Sequence, residues 1–120
     1  MTQVLKGIRV LDFGRYIAGP YCGTLLGDMG AEVIRIEKID GSEDRFLSPI
    51  SDKGDGGLFM QLARNKKCMT LNPMKPEGRE IVKKLVKTAD VVIANLPPDT
   101  LAAMGLDYES LKAIKPDIIL

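Results

Sequence analysis

The chain has no histidine and only two cysteines, Cys22 and Cys68, at a spacing unlike any metal motif. A zinc centre or a catalytic site built on histidine is therefore excluded within it. Two free thiols are expected in preference to a disulfide, as in a protein of a reducing compartment. Surplus charge is missing too: 17 basic against 16 acidic residues leave a net charge of +1. That balance gives no support for nucleic-acid or membrane-surface binding. No apolar run approaches the roughly 18 residues that a membrane span requires. The opening "MTQVLKGIRV" has no basic stretch followed by an apolar one, so no secretory signal is expected and the cytoplasm is the expected location. What is there is the composition of an ordinary folded domain. At 45% hydrophobic and 28% charged over 120 residues, it can bury one real core.

Apolar runs and turn formers alternate along the chain. "GIRVLDFG" holds a short apolar run, Ile8 to Phe13, closed by Gly14, and predicts a buried strand. A helix follows, with Pro20 in its first turn and Tyr21, Leu25, Leu26 and Met29 as its apolar stripe. Gly30 is placed to end it, and "AEVIRIE" predicts a second strand. Short connections make this a strand–helix–strand unit with parallel strands and a right-handed crossover. From Lys38 to Asn65 no period survives, and a loop of that length is expected to be functional or mobile. "KKCMTLN" predicts a third strand. "KPEGREIVKKLVKTA" predicts a helix with Ile81, Val82, Leu85 and Val86 inward, and "DVVIANL" a strand covered on both faces. Two short helices come next, the first followed by Gly105 and the second capped by Asp107. "DIIL" opens a fifth strand. The alternation predicts an α/β fold: a Rossmann-like, mainly parallel sheet with helices on both faces. An apolar strand with no helix to cover it leads us to expect the N-terminal part of a larger domain, with no second domain within residues 1–120.

The turns carry the candidate chemistry. Gly23, Gly27 and Gly30 recur at i, i+4 and i+7. Glycine inside a helix costs about 1 kcal/mol relative to alanine, so close backbone approach must offset it. Packing on a neighbouring element is the simpler explanation, and ligand contact is the other. Gly14 to Pro20 forms a turn at the carboxyl end of the first strand, where open α/β sheets bind ligands. The helix N-terminus behind it favours an anion. The G-x-G-x-x-G spacing of a dinucleotide site is missing, which argues against the rival reading, an NAD-dependent oxidoreductase. Glu37 nevertheless ends the second strand, where such an enzyme carries its ribose-binding acid. It is either that acid or a partly exposed carboxylate paired with nearby cations. "RNKK", Arg64 to Lys67, with Lys38, Arg45 and Lys75, either receives a polyanion or forms a solvated basic edge. Asn95 ends the fourth strand, where an amide can bond a base or another amide. Cys22, near a helix start, has either a lowered pKa or, more simply, a buried place as a small hydrophobe.

Four pieces recur together and in order: "LKGIRVLDFGRYIAGPYCGTLLGDMGAEVIRIEK", "RNKKCMTLN", "PEGREIVKKLVKTADVVIANL" and "MGLDYESLKAIKPDIIL". As a set they resemble the N-terminal segment of the class III coenzyme A transferases, the CaiB/BaiF and formyl-CoA transferase group. The resemblance runs from about Leu5 to Leu120. It implies a large Rossmann-like domain with coenzyme A along the carboxyl ends of its strands, and an interlocked homodimer. It implies a CoA-transferase acting on an acyl-CoA and a carboxylic acid, with no further cofactor. On this resemblance Arg15, Tyr16, Ile17 and Ala18 lie beside the thioester and acyl site. Lys38 falls near the adenosine phosphate with Lys75 as a second cation, while Leu71, Asn95 and Leu96 flank adenine and ribose. Three positions depart from the family pattern. Ala103 stands where many relatives carry a CoA-binding arginine, Met74 where lysine is common, and Ile39 where proline is frequent. The family's nucleophile is an aspartate expected beyond Leu120, so no catalytic residue and no metal ligand is expected inside the segment. Asp12, Asp28 and Asp40 are not assigned that role. Two alternatives stand beside this one: an α-methylacyl-CoA racemase-like isomerase, which moves a proton instead of CoA, and a non-catalytic nucleotide-binding module.

Overall fold

A computed structural model describes residues 3–120. Four parallel strands form one sheet: β1 (Arg9–Asp12), β2 (Glu32–Glu37), β3 (Lys66–Thr70) and β4 (Val91–Ile93), ordered β3-β2-β1-β4. The helices are α1 (Ala18–Asp28), α2 (Gly57–Leu62), α3 (Pro76–Val86), α4 (Pro98–Met104) and α5 (Tyr108–Ile114). The central strand β1 sets the register, with Val10 opposite Val33 on one side and Val91 on the other. The expected fifth strand is present as a single parallel bridge between Val91 and Ile119.

The sheet's residues alternate between two layers, as strand geometry requires. On one face Leu11, Phe13, Ile36 and Val92 meet Val82 and Val86 of α3, with Met104 and Leu111 from α4 and α5. On the other, Val10, Val33 and Ile93 meet Leu26 of α1. Each such side chain contributes about 1.5–3 kcal/mol by leaving water. β4 is thus covered on both sides, as its unbroken apolar run predicts. The caps follow the sequence as well: Gly105 takes a left-handed φ of 70° after α4, and the Asp107 carboxylate accepts the Ser110 N–H at 3.0 Å.

Of the stripe predicted for α1 only Leu26 packs inward; the rest faces out. Gly19, Pro20, Gly23, Thr24 and Gly27 are its buried residues, whereas Tyr21, Leu25 and Met29 are 50%, 44% and 44% exposed. The cause lies beneath the helix. Asp12 and Lys66 form a fully buried ion pair at 2.8 Å, and Lys66 also donates to the Pro20 carbonyl at 2.6 Å. A Cβ on Gly23 would stand 2.9 Å from Asp12 Oδ2 and 3.1 Å from Lys66 Nζ. A glycine face is what lets the helix descend far enough to cover these charges. Close packing therefore accounts for Gly23 and Gly27, the latter facing Val33. Cys22, on the outer side, is an exposed free thiol and not a buried hydrophobe.

Two further expectations need correction. In α3 the buried residues are Gly78, Val82 and Val86, four apart, and Ile81 is 41% exposed. The segment from Lys38 to Asn65 is not a structureless loop. It holds a 3-10 turn, Glu43–Phe46, and helix α2. The 3-10 turn is held by charge pairing, and α2, which has no buried residue, is held where Phe59 lies over two arginines, both described below.

The glycine face gives a stability test. Gly23→Ala would stabilise an ordinary exposed helix, but here the new methyl meets the ion pair, and we expect a loss of about 1–3 kcal/mol. Urea denaturation of the two proteins measures it. A variant as stable as the parent would contradict this packing account.

Candidate ligand site at the carboxyl end of the sheet

A cavity of about 780 Å³ opens where the strands end, walled by residues that follow each of them: Arg15, Lys38, Leu71 and Asn95. Phe13, Ile36, Leu96 and Met104 give it an apolar lining. Arg15 and Lys38 are the basic residues on its wall, and Asp40 and Glu43 the acidic ones. Its lip at Asn72 to Met74 exists because of a glycine. A Cβ on Gly78 would lie 1.9 Å from the Asn72 carbonyl oxygen, so only glycine lets that turn rest on α3.

The turn after β1 is held from several sides. The Gly14 N–H donates to Asp12 Oδ1 at 2.8 Å. A Cβ on Gly19 would lie 2.7 Å from both the Gly14 Cα and Asn95 Oδ1. These glycines thus serve close approach within the chain itself. Asn95 clamps the next peptide: the Arg15 N–H donates to its Oδ1 at 2.7 Å, and its Nδ2 donates to the Arg15 carbonyl at 2.9 Å. The Arg15 guanidinium Nη1 reaches the carbonyls of Phe13, Gly14 and Ile36 at 2.9, 2.8 and 3.2 Å. Burial and the nearby Arg35 charge pull its pKa below the ordinary value, against the opposing pull of Asp44, Glu43 and Asp12. Tyr16 then turns the chain with φ of 60°, and its N–H donates to Asp44 Oδ2 at 2.9 Å.

Behind this turn lies a charged network. Arg35 of β2, only 1% exposed, donates from Nη2 to Asp44 Oδ1 at 2.7 Å, and its Nε is 3.3 Å from Glu37. Glu37 accepts from Arg45 Nη2 at 2.6 Å and Nε at 3.1 Å, and from the Ser42 N–H at 3.1 Å. Phe59 of α2 lies over both arginines, its ring centre 3.9 Å from the Arg45 guanidinium carbon and 5.4 Å from that of Arg35. Glu37 is therefore neither a ribose-binding acid nor a partly exposed carboxylate. It is buried and fully engaged. Burial pushes its carboxyl up, but the bonds from Arg45 and Ser42 and the charge of Arg35 outweigh that and bring it down to about 2.

The site residues expected from sequence divide in two. Arg15, Tyr16, Lys38, Leu71, Asn95 and Leu96 are gathered on the cavity wall. Ile17 and Ala18 start α1 outside that wall, Ile17 being 61% exposed, and Lys75 is the exposed N-cap of α3, with Met74 on the wall instead. Lys38 pairs with Glu43, both half-exposed or more. The "RNKK" cluster does not reach the cavity. It lies at the amino end of β3, where Arg64 pairs with Asp28 at 2.5 Å, Lys67 with Glu32 at 2.6 Å, and Lys66 is buried against Asp12. Neither the polyanion reading nor the solvated edge describes Lys66. Asp44 was missed from sequence; the one signal was Arg35, a charged residue in the middle of an apolar strand. Among the described residues no group of three or more His, Cys, Asp or Glu side chains could hold a metal ion, and no helix is long and apolar enough to cross a membrane.

A parallel α/β sheet with a largely apolar cavity across its carboxyl ends defines an α/β protein of the open-sheet class, whose small-molecule sites commonly lie at that end. Comparison with known proteins narrows this. Residues 5–120 match the model of CoA-transferase family III, and the chain belongs to that family. It is 41% identical over 122 residues to a succinate–glutarate CoA-transferase of Agrobacterium fabrum, covering 96% of this chain and 30% of that protein. It is 43% identical over 117 residues to a succinyl-CoA–D-citramalate CoA-transferase of Chloroflexus aurantiacus, covering 97% and 29%. Among solved structures, a CAIB/BAIF family protein from Brucella suis superposes with a TM-score of 0.91 at 41% identity, covering 99% of this chain and 32% of that one. The chain thus spans under a third of the length of these relatives.

Glu37 leaves a signature in acid. Its folded pKa of about 2 lies below the ordinary 4.5, so its stabilisation is complete above pH 4.5 and is lost as pH falls toward 2. The amount is on the order of 3 kcal/mol. Glu37→Gln should lower the melting temperature at neutral pH and flatten its decline across that acid window. A variant whose acid decline matches the parent's would refute the assignment.

Proposed function

We propose that this chain is the N-terminal coenzyme A-binding part of an acyl-CoA:carboxylic acid CoA-transferase. The observation that carries this is the cavity at the carboxyl end of the sheet. At about 780 Å³ it falls within the roughly 300–1,000 Å³ of small-molecule sites. Its apolar lining suits adenine and the pantetheine arm, Lys38 at the mouth suits a phosphate, and the Arg15–Tyr16 turn takes the thioester end. Family membership supports the transferase class, and the name of the Chloroflexus relative pairs a CoA thioester with a carboxylic acid. The engaged state of Glu37 speaks against a dinucleotide site, because its buried carboxylate already accepts three hydrogen bonds and lies against the Arg35 charge.

In this reading an aspartate lying beyond Leu120 supplies the nucleophile. Its carboxylate oxygen attacks the acyl carbonyl and expels CoA as thiolate, leaving a mixed anhydride. The thiolate then attacks the aspartyl carbonyl, releasing the donor acid and forming an enzyme-bound CoA thioester. The acceptor carboxylate takes CoA through the same two steps in reverse, which frees the aspartate. This divides one hard transfer into easier ones. The residues described here bind and orient the CoA. As parts of the same proposal the protein acts as an interlocked homodimer in the cytoplasm, where Cys22 and Cys68 stay reduced.

Calorimetry on the full-length protein tests the reading: CoA should bind and NADH should not. Lys38→Ala should weaken CoA binding by up to about 1 kcal/mol, since Lys38 is exposed, and should reduce the salt dependence of binding. Binding of NADH without CoA would overturn the reading. Unchanged CoA affinity in Lys38→Ala would remove the phosphate role.

A further inference from the structure

We propose that Asp44 is a positioning residue of this site: its buried carboxylate holds the Arg15–Tyr16 turn in the shape that receives the thioester. The proposal rests on the CoA reading for the turn's ligand, but the clamp itself rests on geometry. Tyr16 has φ of 60°, a left-handed conformation that a bulky residue avoids unless its surroundings impose it. Two restraints impose it here. Asn95, from the end of β4, takes both the N–H and the carbonyl of Arg15. Asp44, from the 3-10 turn, takes the Tyr16 N–H at 2.9 Å. Consecutive N–H groups are thus gripped by side chains from two distant segments.

Asp44 is itself immobilised. Its side chain is 4% exposed, and its second oxygen receives Arg35 Nη2 at 2.7 Å. Arg35 is fixed in turn beside Glu37. The acceptor offered to Tyr16 is therefore preset, which is what a site needs to fix a reacting group without paying for reordering at each turnover. Tyr16 and Arg15 stand on the cavity wall, while Asp44 lies behind them, off that wall. Its effect on a bound thioester runs through the turn.

The test uses the full-length enzyme with succinyl-CoA and glutarate, free CoA, and amide exchange at Tyr16 followed by NMR. Asp44→Ala should lower kcat by roughly 10- to 100-fold, the scale expected of a misplaced reacting group. Affinity for free CoA should stay within about threefold, since free CoA lacks the acyl end. Exchange at Tyr16 should speed up. Asp44→Asn has one acceptor oxygen for two donors, so its amide NH2 faces either Arg35 or Tyr16, and it should show a loss of kcat and of protection no larger than that of Asp44→Ala. If Asp44→Ala does not fold, Asp44→Glu keeps the charge for Arg35 while displacing the acceptor by one methylene, and should show the same loss. Wild-type kcat in Asp44→Ala or Asp44→Glu overturns the proposal. So does a loss of kcat and CoA affinity in equal measure that tracks the melting temperature. An enzyme that neither binds CoA nor transfers it removes the functional reading alone. The exchange measurement then decides the clamp: faster exchange in Asp44→Ala upholds it, and unchanged exchange overturns it.

Discussion

The arrangement of this molecule depends on a set of buried charges on one face of its sheet. Arg35 and Glu37 leave β2 toward the side where an apolar layer would be expected, and meet Asp44 and Arg45 from the 3-10 turn. Removing charged groups from water costs several kcal/mol each, so the set is tolerable only when nearly every lone pair and N–H is matched. The match is close but incomplete: Arg35 Nε has no hydrogen-bond partner of good geometry and only the Glu37 charge at 3.3 Å. The constraint acts on the chain around it. The segment after β2 must fold back to bring Asp44 and Arg45 into place, and α2 must lay Phe59 over the guanidinium groups. One wall of the cavity follows from that requirement.

The Asp12–Lys66 pair repeats the pattern on the same face. Together they give the sheet one apolar side, under α3, α4 and α5, and one mixed side. On the mixed side the Asp12–Lys66 pair and a small apolar cluster lie under α1, and the Arg35 set lies against the 3-10 turn and α2. A helix that covers charges held close to the sheet has to be thin; Gly23 makes it so over the ion pair, Gly27 over Val33 and Gly19 against Gly14 and Asn95. The consequence is that Tyr21, Leu25 and Met29 face outward. The same closeness brings Gly14 against Gly19 and sets Asn95 beside Arg15, so the geometry of the ligand turn and that of the helix have one origin.

Much of the fold could be read from the residues because its apolar layer obeys simple periods. β4 is an unbroken apolar run, Gly105 and Asp107 mark helix ends, and all four strands fall where short apolar or mixed runs predict them. The larger failures involve charge, while the outward Ile81 of α3 does not. The outward stripe of α1 cannot be foreseen without knowing that Lys66 reaches under the helix to Asp12. The helical content of residues 38–65 is invisible to apolar periodicity because ion pairs and cation–π contacts fold that segment. In the site, the turn holding Arg15 and the amide of Asn95 were legible from their places at strand ends, whereas Leu71 entered only through the family resemblance and Lys38 through its charge and that resemblance. Asp44 was not legible, since an acid in a polar loop gives no sign of a partner at Tyr16. "RNKK" misled for the converse reason: its cations look free in sequence, but Asp28, Glu32 and Asp12 neutralise them.

The central claim is that an acyl-CoA occupies the cavity across the carboxyl ends of the strands. Hydrogen–deuterium exchange on the full-length protein, with and without saturating acyl-CoA, tests it most directly because it locates the ligand without assuming the chemistry. Protection is expected together at four places: the turn of Gly14 to Ile17, the stretch from Lys38 to Asp44, the lip from Leu71 to Met74, and Asn95 to Pro97. The amino end of the sheet, from Arg64 to Lys67, should be unchanged. Protection centred on Arg64 to Lys67, with none at those four places, would contradict the account.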